Sequence, residues 1–355
     1  MSPLPSVIIF DIFALWGWLI GKNLNVLPEF GLSPINLYVS NSGFPESSIS
    51  HSMIKTPEVQ AAIARFPYPF EPNSEICTAP KGVPVICFSS RSVAPDAPKD
   101  WHLVGLFPPG ALTAAPAASP LCLEKYSKAR SEGIPIVYLA FGTIILRFFG
   151  TSQAAFFREV YHTITIAALK AGAVVIASTL VKTPEELGID FESLKEAGIA
   201  DANTPITLKD GVTQIPRVLP LPFVPQLALF AKCGVDLFIT HGGANSFAEG
   251  LLSDIPMVVA PFFGDQPAVA LRVVSLGLGG ALITPEWNGI AKSIEQPSPP
   301  DAPTVGHTVE DFAQTLLPEL ISQNAPQKLV AKQLGLALRE EAIHSAHRLV
   351  DLISQ

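Results

Sequence analysis

Phe223 to Gln266 is the stretch of this sequence that can do chemistry. His241 leads into two glycines, Gly242 and Gly243, then Asn245, Ser246 and Glu249; Asp265 and Gln266 close the stretch. Phe223, Val224 and Gln226 stand ahead of them. Glycines let the backbone approach a ligand closely. Asn245 and Ser246 open a helix, whose first amides and dipole attract an anion. Charge-assisted hydrogen bonds of this kind contribute about 1.5–3 kcal/mol each. Glu249 lies one turn further, on the face of Asn245 and Ser246, where a carboxylate can accept from both hydroxyls of a ribose. Asp265 beside Gln266 suits bidentate bonding to sugar hydroxyls. Phe223 offers a face for a base, where stacking adds about 1–3 kcal/mol. Together these groups can hold a pyrophosphate-linked sugar.

Each residue alone has a plainer role. His241 would be a hydrogen-bonded histidine at a strand end, Glu249 a solvated helix face, and Asn245-Ser246 an ordinary cap. Asp265 and Thr143 would cap helices, and Phe223 would be core. The functional reading rests on their coincidence at three strand ends of one sheet.

Those strand ends follow from the hydrophobic pattern. From Ile134 onward, short apolar runs alternate with helical stretches. Strands are expected at Ile136–Ala140, Ala173–Ala177, Arg217–Leu219, Val235–Thr240, Met257–Ala260 and Ala281–Ile283. Helices are expected at Ser152–Ala171, Thr183–Ala197, Pro225–Lys232, Asn245–Ser253 and Gln266–Leu276. Continuous apolar strands separated by helices imply a parallel α/β sheet covered on both faces, with right-handed crossovers. Such sheets bind ligands at the carboxyl ends of their strands, where His241, Thr143 and Asp265 fall. The expected organisation is a first α/β region over 1–106, a Pro/Ala-rich linker over 107–133, a doubly wound domain over 134–323 and a closing helix over 324–355. The first region offers a strand-to-helix unit within Ser6–Asn23 and weaker strands near Leu37–Val39, Val85–Phe88 and His102–Gly105. Gln296–Pro303 reads as a loop, and Asn324–Leu352 as one long helix with a single apolar stripe.

Composition narrows the function classes. The 355 residues carry a net charge of −8, which argues against nucleic acid, since phosphate binding over a long surface needs a basic stripe. Mean hydropathy is +0.37, yet no apolar run reaches the roughly 18–20 residues of a membrane helix. Val7–Ile20 is short, contains Asp11 and lacks the basic start of a secretory signal. Four cysteines show no Cys-x-x-Cys spacing, so reduced thiols in the cytosol are expected, without zinc or a disulfide framework. His344 and His347 read as a solvated helix face without a third metal ligand. Gly277-Leu278-Gly279-Gly280 precedes a strand and fails the dinucleotide spacing. A Gly-x-Ser-x-Gly elbow is absent from the sequence.

The Phe223–Gln266 segment resembles the donor-binding box of the UDP-glycosyltransferases of the GT-B fold, enzymes that glycosylate small lipophilic acceptors. It has the aromatic start with Pro-Gln, the His-Gly-Gly-x-Asn-Ser run, the Glu and the closing Asp-Gln, at the same spacing. Tyr138–Thr143 resembles the family's strand and Phe-Gly-Ser/Thr turn. Val7–Leu24 resembles a late strand and helix of the acceptor domain. The resemblance implies a GT-B chain with one complete Rossmann-like domain and an incomplete N-terminal α/β domain. It assigns base stacking to Phe223, uracil contacts to the Val224 backbone, and a base- or ribose-side role to Gln226. Thr143, His241, Gly243, Asn245 and Ser246 would hold the diphosphate, Glu249 the ribose, and Asp265 with Gln266 the transferred sugar.

The implied activity is inverting transfer of a hexose, glucose by family expectation, from a UDP-sugar to a sterol, terpenoid or phenolic hydroxyl. No metal or other cofactor is implied, and the sequence contains no Asp-x-Asp. The implied location is the cytoplasm, with peripheral membrane association allowed. Phe223 stands where plant members carry Trp, and Val269 where many members carry Asn. The family's general base, a His after the first strand of the acceptor domain, and its Asp partner have no matching positions; His51 and His102 come too late. A segment upstream of Met1 is therefore expected in the ancestral protein, and an unpaired sheet edge predicts poor solubility. A non-catalytic UDP-sugar-binding chain is the alternative.

Overall fold

The computed structural model describes residues 7–11, 29–33, 57, 61, 83–95, 97, 99, 101–106, 123–179, 183, 191–196, 198–199, 203–262, 264–287 and 306–354. Contacts divide the chain into two units.

The first unit comprises Met1–Pro108, Phe263–Ala268 and Leu338–Gln355. Its strands β1 (Ile8–Asp11), β2 (Glu29–Ser33), β3 (Val85–Cys87) and β4 (Trp101–Leu103) lie side by side in that order. All three pairings are parallel, with Ile8 opposite Glu29, Gly31 opposite Val85, and Val85 opposite Trp101. Three strands fall where apolar runs predicted them, although β4 begins one residue earlier than expected. The sequence reading misses β2, because Glu29, Gly31 and Ser33 break its apolar run. The expected strand Leu37–Val39, the helix after β1, His51 and the segment Gln296–Pro303 lie outside the described residues. Phe30, Ile86 and Val104 form a small core against which Leu349, Leu352 and Ile353 pack. Polar contacts fasten the same C-terminal segment. Arg348 Nε donates to the Val104 carbonyl at 2.9 Å, and Ser345 Oγ to the Leu106 carbonyl at 3.0 Å.

The second unit comprises Pro109–Phe262 and Val269–Ala337. Helix α1 (Leu123–Ser131) precedes β5 (Ile136–Ala140), which leads into α2 (Gly142–Phe149) and α3 (Ala154–Lys170). Then come β6 (Val174–Ser178), the short helix α4 (Phe191–Glu196), and a two-stranded antiparallel hairpin, β7 (Ile206–Thr207) with β8 (Gln214–Ile215). The chain continues through β9 (Val218–Leu221), α5 (Gln226–Cys233), β10 (Leu237–Thr240), α6 (Ala244–Leu252), β11 (Met257–Val259), α7 (Gln266–Ser275) and β12 (Gly279–Ala281). The six-stranded sheet has the order β12-β11-β10-β5-β6-β9, every pair parallel. Counted along the chain from β5, this is the doubly wound order 3-2-1-4-5-6. All five residues of β5 and all four of β10 are buried, as expected of strands covered on both faces. One core runs from Val137 and Leu139 through Phe157 and Ile164 to Phe262 and Phe312.

Several boundaries differ from expectation for identifiable reasons. The last strand lies at Gly279–Ala281 and not at Ala281–Ile283. Gly279 pairs with Met257, and a Cβ there would come within 2.0 Å of the Met257 carbonyl oxygen, so only glycine allows the pairing. Ile283 instead donates its N–H to the His307 carbonyl. The closing helix is two helices, α8 (Pro326–Ile343) and α9 (Ser345–Ile353), broken at His344, whose φ is −100° and ψ 0°. Helix α2 is additional to the sequence reading. Of the helix expected over Thr183–Ala197, the described residues are Thr183, which is a bend, and α4. Among the described residues no helix is long and apolar enough to cross a membrane, and no cluster of three metal-ligating side chains occurs.

Candidate nucleotide-sugar site

In a sheet of this order the binding crevice opens where the crossovers reverse direction, at the carboxyl ends of the first and fourth strands. Those strands are β5 and β10, paired with Ala140 opposite Thr240. Gly142 follows β5 and His241 follows β10, so the two turns meet at that point. Gly142 and Gly243 both lie against the His241 ring. The Gly242 N–H donates to Thr240 Oγ1 at 3.4 Å, and Gly242 takes a φ of 82°. Burial pushes the His241 imidazole down to about 4, with the Ala140 backbone opposing. Nδ1 is buried and has no partner of hydrogen-bond geometry. The ring is therefore neutral at pH 7.

Helix α6 starts at this turn. Gly243 is its N-cap, at φ −61° and ψ 145°, and as a glycine it brings no capping side chain of its own. The first helical bond runs from the Phe247 N–H to the Gly243 carbonyl at 3.0 Å, so the amides of Asn245 and Ser246 precede it. This corrects the expectation that Asn245 opens the helix, because Gly243 already has the extended backbone of a cap. The first turn holds no acidic residue, so no charge within that turn offsets its positive dipole end. Asn245 is exposed and Ser246 half-buried. Thr143 is the second residue of α2.

Glu249, one turn along α6, is half-buried, and Gln226 at the start of α5 donates its amide to it at 2.5 Å. Burial raises the Glu249 carboxyl, and this bond opposes the shift. Two further polar groups accompany Glu249 that sequence reading passed over. Tyr138 of β5 is fully buried between Phe230 and Phe238, stacked on Phe238 at 5.3 Å. Burial pushes its phenol far up; the Ser178 hydroxyl, hydrogen-bonded to it, opposes, and the Glu249 charge adds to the rise. Tyr138 is the one hydroxyl-bearing residue in Ile136–Ala140, and that oddity was the available signal. Phe223 stands 62% exposed just past β9, its ring open for stacking, while Val224 is buried. Val269 is buried beneath the turn, its Cγ1 3.3 Å from where a Gly242 Cβ would lie. At this position an apolar residue completes the packing under the glycines.

Asp265 and Gln266, at the start of α7, belong to the segment grouped with the first unit. Burial pushes the Asp265 carboxyl up to about 6, its own backbone N–H opposing. Gln266 is 4% exposed.

The second unit thus brings an imidazole, a helix start capped by a glycine and a desolvated carboxylate to the crevice of a doubly wound sheet. A family model described as UDP-glucoronosyl and UDP-glucosyl transferase matches residues 165–289, which include most of these groups. This is a UDP-glycosyltransferase-like chain. It is 44% identical over 68 residues to mouse UDP-glucuronosyltransferase 3A1, a match covering 19% of this chain and 13% of that protein. It is 29% identical over 154 residues to a sterol 3-beta-glucosyltransferase of Penicillium rubens, covering 43% of this chain and 9% of the relative. The matches therefore span a small part of these curated relatives. Among solved structures, the glycotransferase of kitacinnamycin superposes with a TM-score of 0.60 at 18% identity, over 99% of this chain and 76% of that one. The UDP-glycosyltransferase-like chain accordingly shares the fold of that solved glycosyltransferase, and its likeness to the UDP-glycosyltransferase family model runs over residues 165–289.

Proposed function

We propose that this chain transfers a hexose, with glucose the first candidate, from a UDP-sugar to a hydroxyl of a small lipophilic acceptor with inversion. The observation that carries the reading is the meeting of His241, the start of α6 and the Gln226–Glu249 pair at the β5–β10 crevice. In this reading Phe223 stacks on uracil, the Val224 backbone pairs with its edge, and Glu249 takes the ribose hydroxyls. His241, Gly243, Asn245, Ser246 and Thr143 hold the diphosphate, and Asp265 with Gln266 the sugar. An acceptor oxygen bonds to the anomeric carbon as the bond from that carbon to the phosphate oxygen breaks. The α6 amides and Ser246 stabilise the departing UDP charge. The acceptor proton passes to a general base not assigned among the described residues. The sterol named for the fungal relative supports a lipophilic acceptor. No metal enters the scheme, and the UDP-sugar is a co-substrate. We assign the chain to the cytoplasm.

Calorimetric titration with UDP and UDP-glucose tests the donor reading; no binding at millimolar ligand to folded protein would end it. A second reading is a UDP-sugar-binding chain without turnover, in keeping with a general base not assigned among the described residues. A transfer assay with sterol and phenolic acceptors separates the two. Turnover abolished by His241→Ala supports the enzyme, and binding without turnover supports the alternative.

A further inference from the structure

We infer that Gly142 is a positioning residue for the diphosphate: with Gly243 it forms a slot that fixes the ring plane of His241. The inference rests on the donor reading above for what the ring grips, but the slot itself is a property of the free protein.

A histidine that must present one nitrogen to a ligand is ordinarily held by a hydrogen bond at the other. His241 has the Ala140 backbone as a hydrogen-bond partner, but its buried Nδ1 has none of good geometry. Packing adds to that hold, and the two glycines supply it. A Cβ at Gly142 would sit 2.8 Å from Cε1 and 3.3 Å from both ring nitrogens. A Cβ at Gly243 would sit 2.6 Å from Nε2 and 3.2 Å from Cε1. Both approach far closer than the roughly 3.5–4.0 Å of optimal carbon contact, so a side chain at either position would displace the ring. The walls belong to different turns, one after β5 and one after β10, and the ring stands where the two neighbouring strands end.

Backbone conformation alone does not account for these glycines. Gly243 has an ordinary φ of −61°, so space is its only constraint. Gly142 has a φ of 70° and is also crowded by the ring. Gly172, Gly198 and Gly211 have positive φ values of 77°, 86° and 74°, with nothing within 4 Å of where a Cβ would be. Those three serve the chain path; Gly142 serves the chain path and the imidazole together.

The test compares Gly142→Ala with Gly172→Ala in the full chain. The second variant carries similar backbone strain without a clash. Two quantities are read: the His241 Cε1–H resonance in the free protein, and the dissociation constant for UDP by calorimetry. The expected result is a displaced His241 resonance and UDP binding weakened about tenfold to a hundredfold in Gly142→Ala, with both unchanged in Gly172→Ala. In a His241→Ala background, Gly142→Ala should change UDP affinity less than about twofold, because it acts through the missing ring. An unmoved resonance, or the same loss in both backgrounds, overturns the inference. If Gly142→Ala does not fold, Gly243→Ala carries the same readouts from an unstrained φ. If the wild-type chain binds no UDP, the donor reading fails while the resonance comparison still decides the slot.

Discussion

The two rims of the six-stranded sheet differ in how firmly their central polar side chain is held. At the amino rim, the Asp236 carboxylate is 1% exposed and fully engaged. It accepts from the Ile136 N–H at 3.0 Å, from Lys328 Nζ at 2.7 Å and from Arg130 Nη2 at 3.3 Å. These bonds join the entries of β5 and β10 to α1 and α8. At the carboxyl rim of the same two strands, the His241 ring has the Ala140 backbone as a partner while its buried Nδ1 has none, and the N-cap of α6 is a glycine. Unsatisfied buried nitrogens are not confined to the carboxyl rim, since Arg130 Nε at the amino rim also has no partner; the contrast lies between a carboxylate held by three donors and a more loosely held imidazole.

The largest effect that would break this contrast is at Asp236. Asp236→Ala should cost about 3–5 kcal/mol of stability, because it strands two cations around a buried site. Urea unfolding measures it, and a loss under 1 kcal/mol would show that the amino rim is not a structural staple. His241→Ala should do the reverse. Removing a group that stabilises the leaving diphosphate costs about 2.7–4 kcal/mol, or 10²–10³ in kcat, while the melting temperature stays level or rises. Glu249→Gln should weaken UDP by about 1.5–3 kcal/mol, the worth of a hydrogen bond to a charged group, again without loss of stability; unchanged affinity would remove Glu249 from the ribose.

Asp265 sharpens the contrast through pH. Its folded carboxyl titrates near 6, above the ordinary 3.8. Between those values the folded chain holds a proton that the unfolded chain has released, so this group's contribution to stability falls as pH rises through that window. A sugar-binding carboxylate has the opposite need, and UDP-glucose affinity should drop as pH falls below about 6. Asp265→Asn should flatten both trends, in denaturation series and in calorimetry; a pH profile identical to wild type would count against the sugar role. The smallest effect is at Phe223, where Trp should tighten UDP by about 0.5–1.5 kcal/mol through a larger stacking face.

Much of the second unit is legible in sequence because burial on both faces leaves continuous apolar runs. Ile136–Ala140 is found to the residue, and His241 at the end of Leu237–Thr240 falls where a parallel sheet binds ligands. Strand β2 escapes because its alternating Glu29, Gly31 and Ser33 look like a turn. The Gln226–Glu249 bond escapes for a different reason. It joins two helices whose approach depends on the three-dimensional order β9, β6, β5, β10, which no local pattern encodes. Asp236 reads as a lone acid before a strand, since Lys328, its partner, lies 92 positions away. Gly142 reads as turn chemistry, and only coordinates reveal that its missing side chain makes room for a ring.

The pairing of β5 with β10 joins segments about 100 positions apart, the separation of Ile136 and Asp236. Such distant strands zip late, after the loop entropy between them has been overcome. The crevice should accordingly be among the last features to form during folding, and on the proposed donor reading a partly folded chain would lack the complete diphosphate site. Ligand added to a refolding mixture would then trap finished molecules and raise the yield, while leaving the speed of their formation untouched.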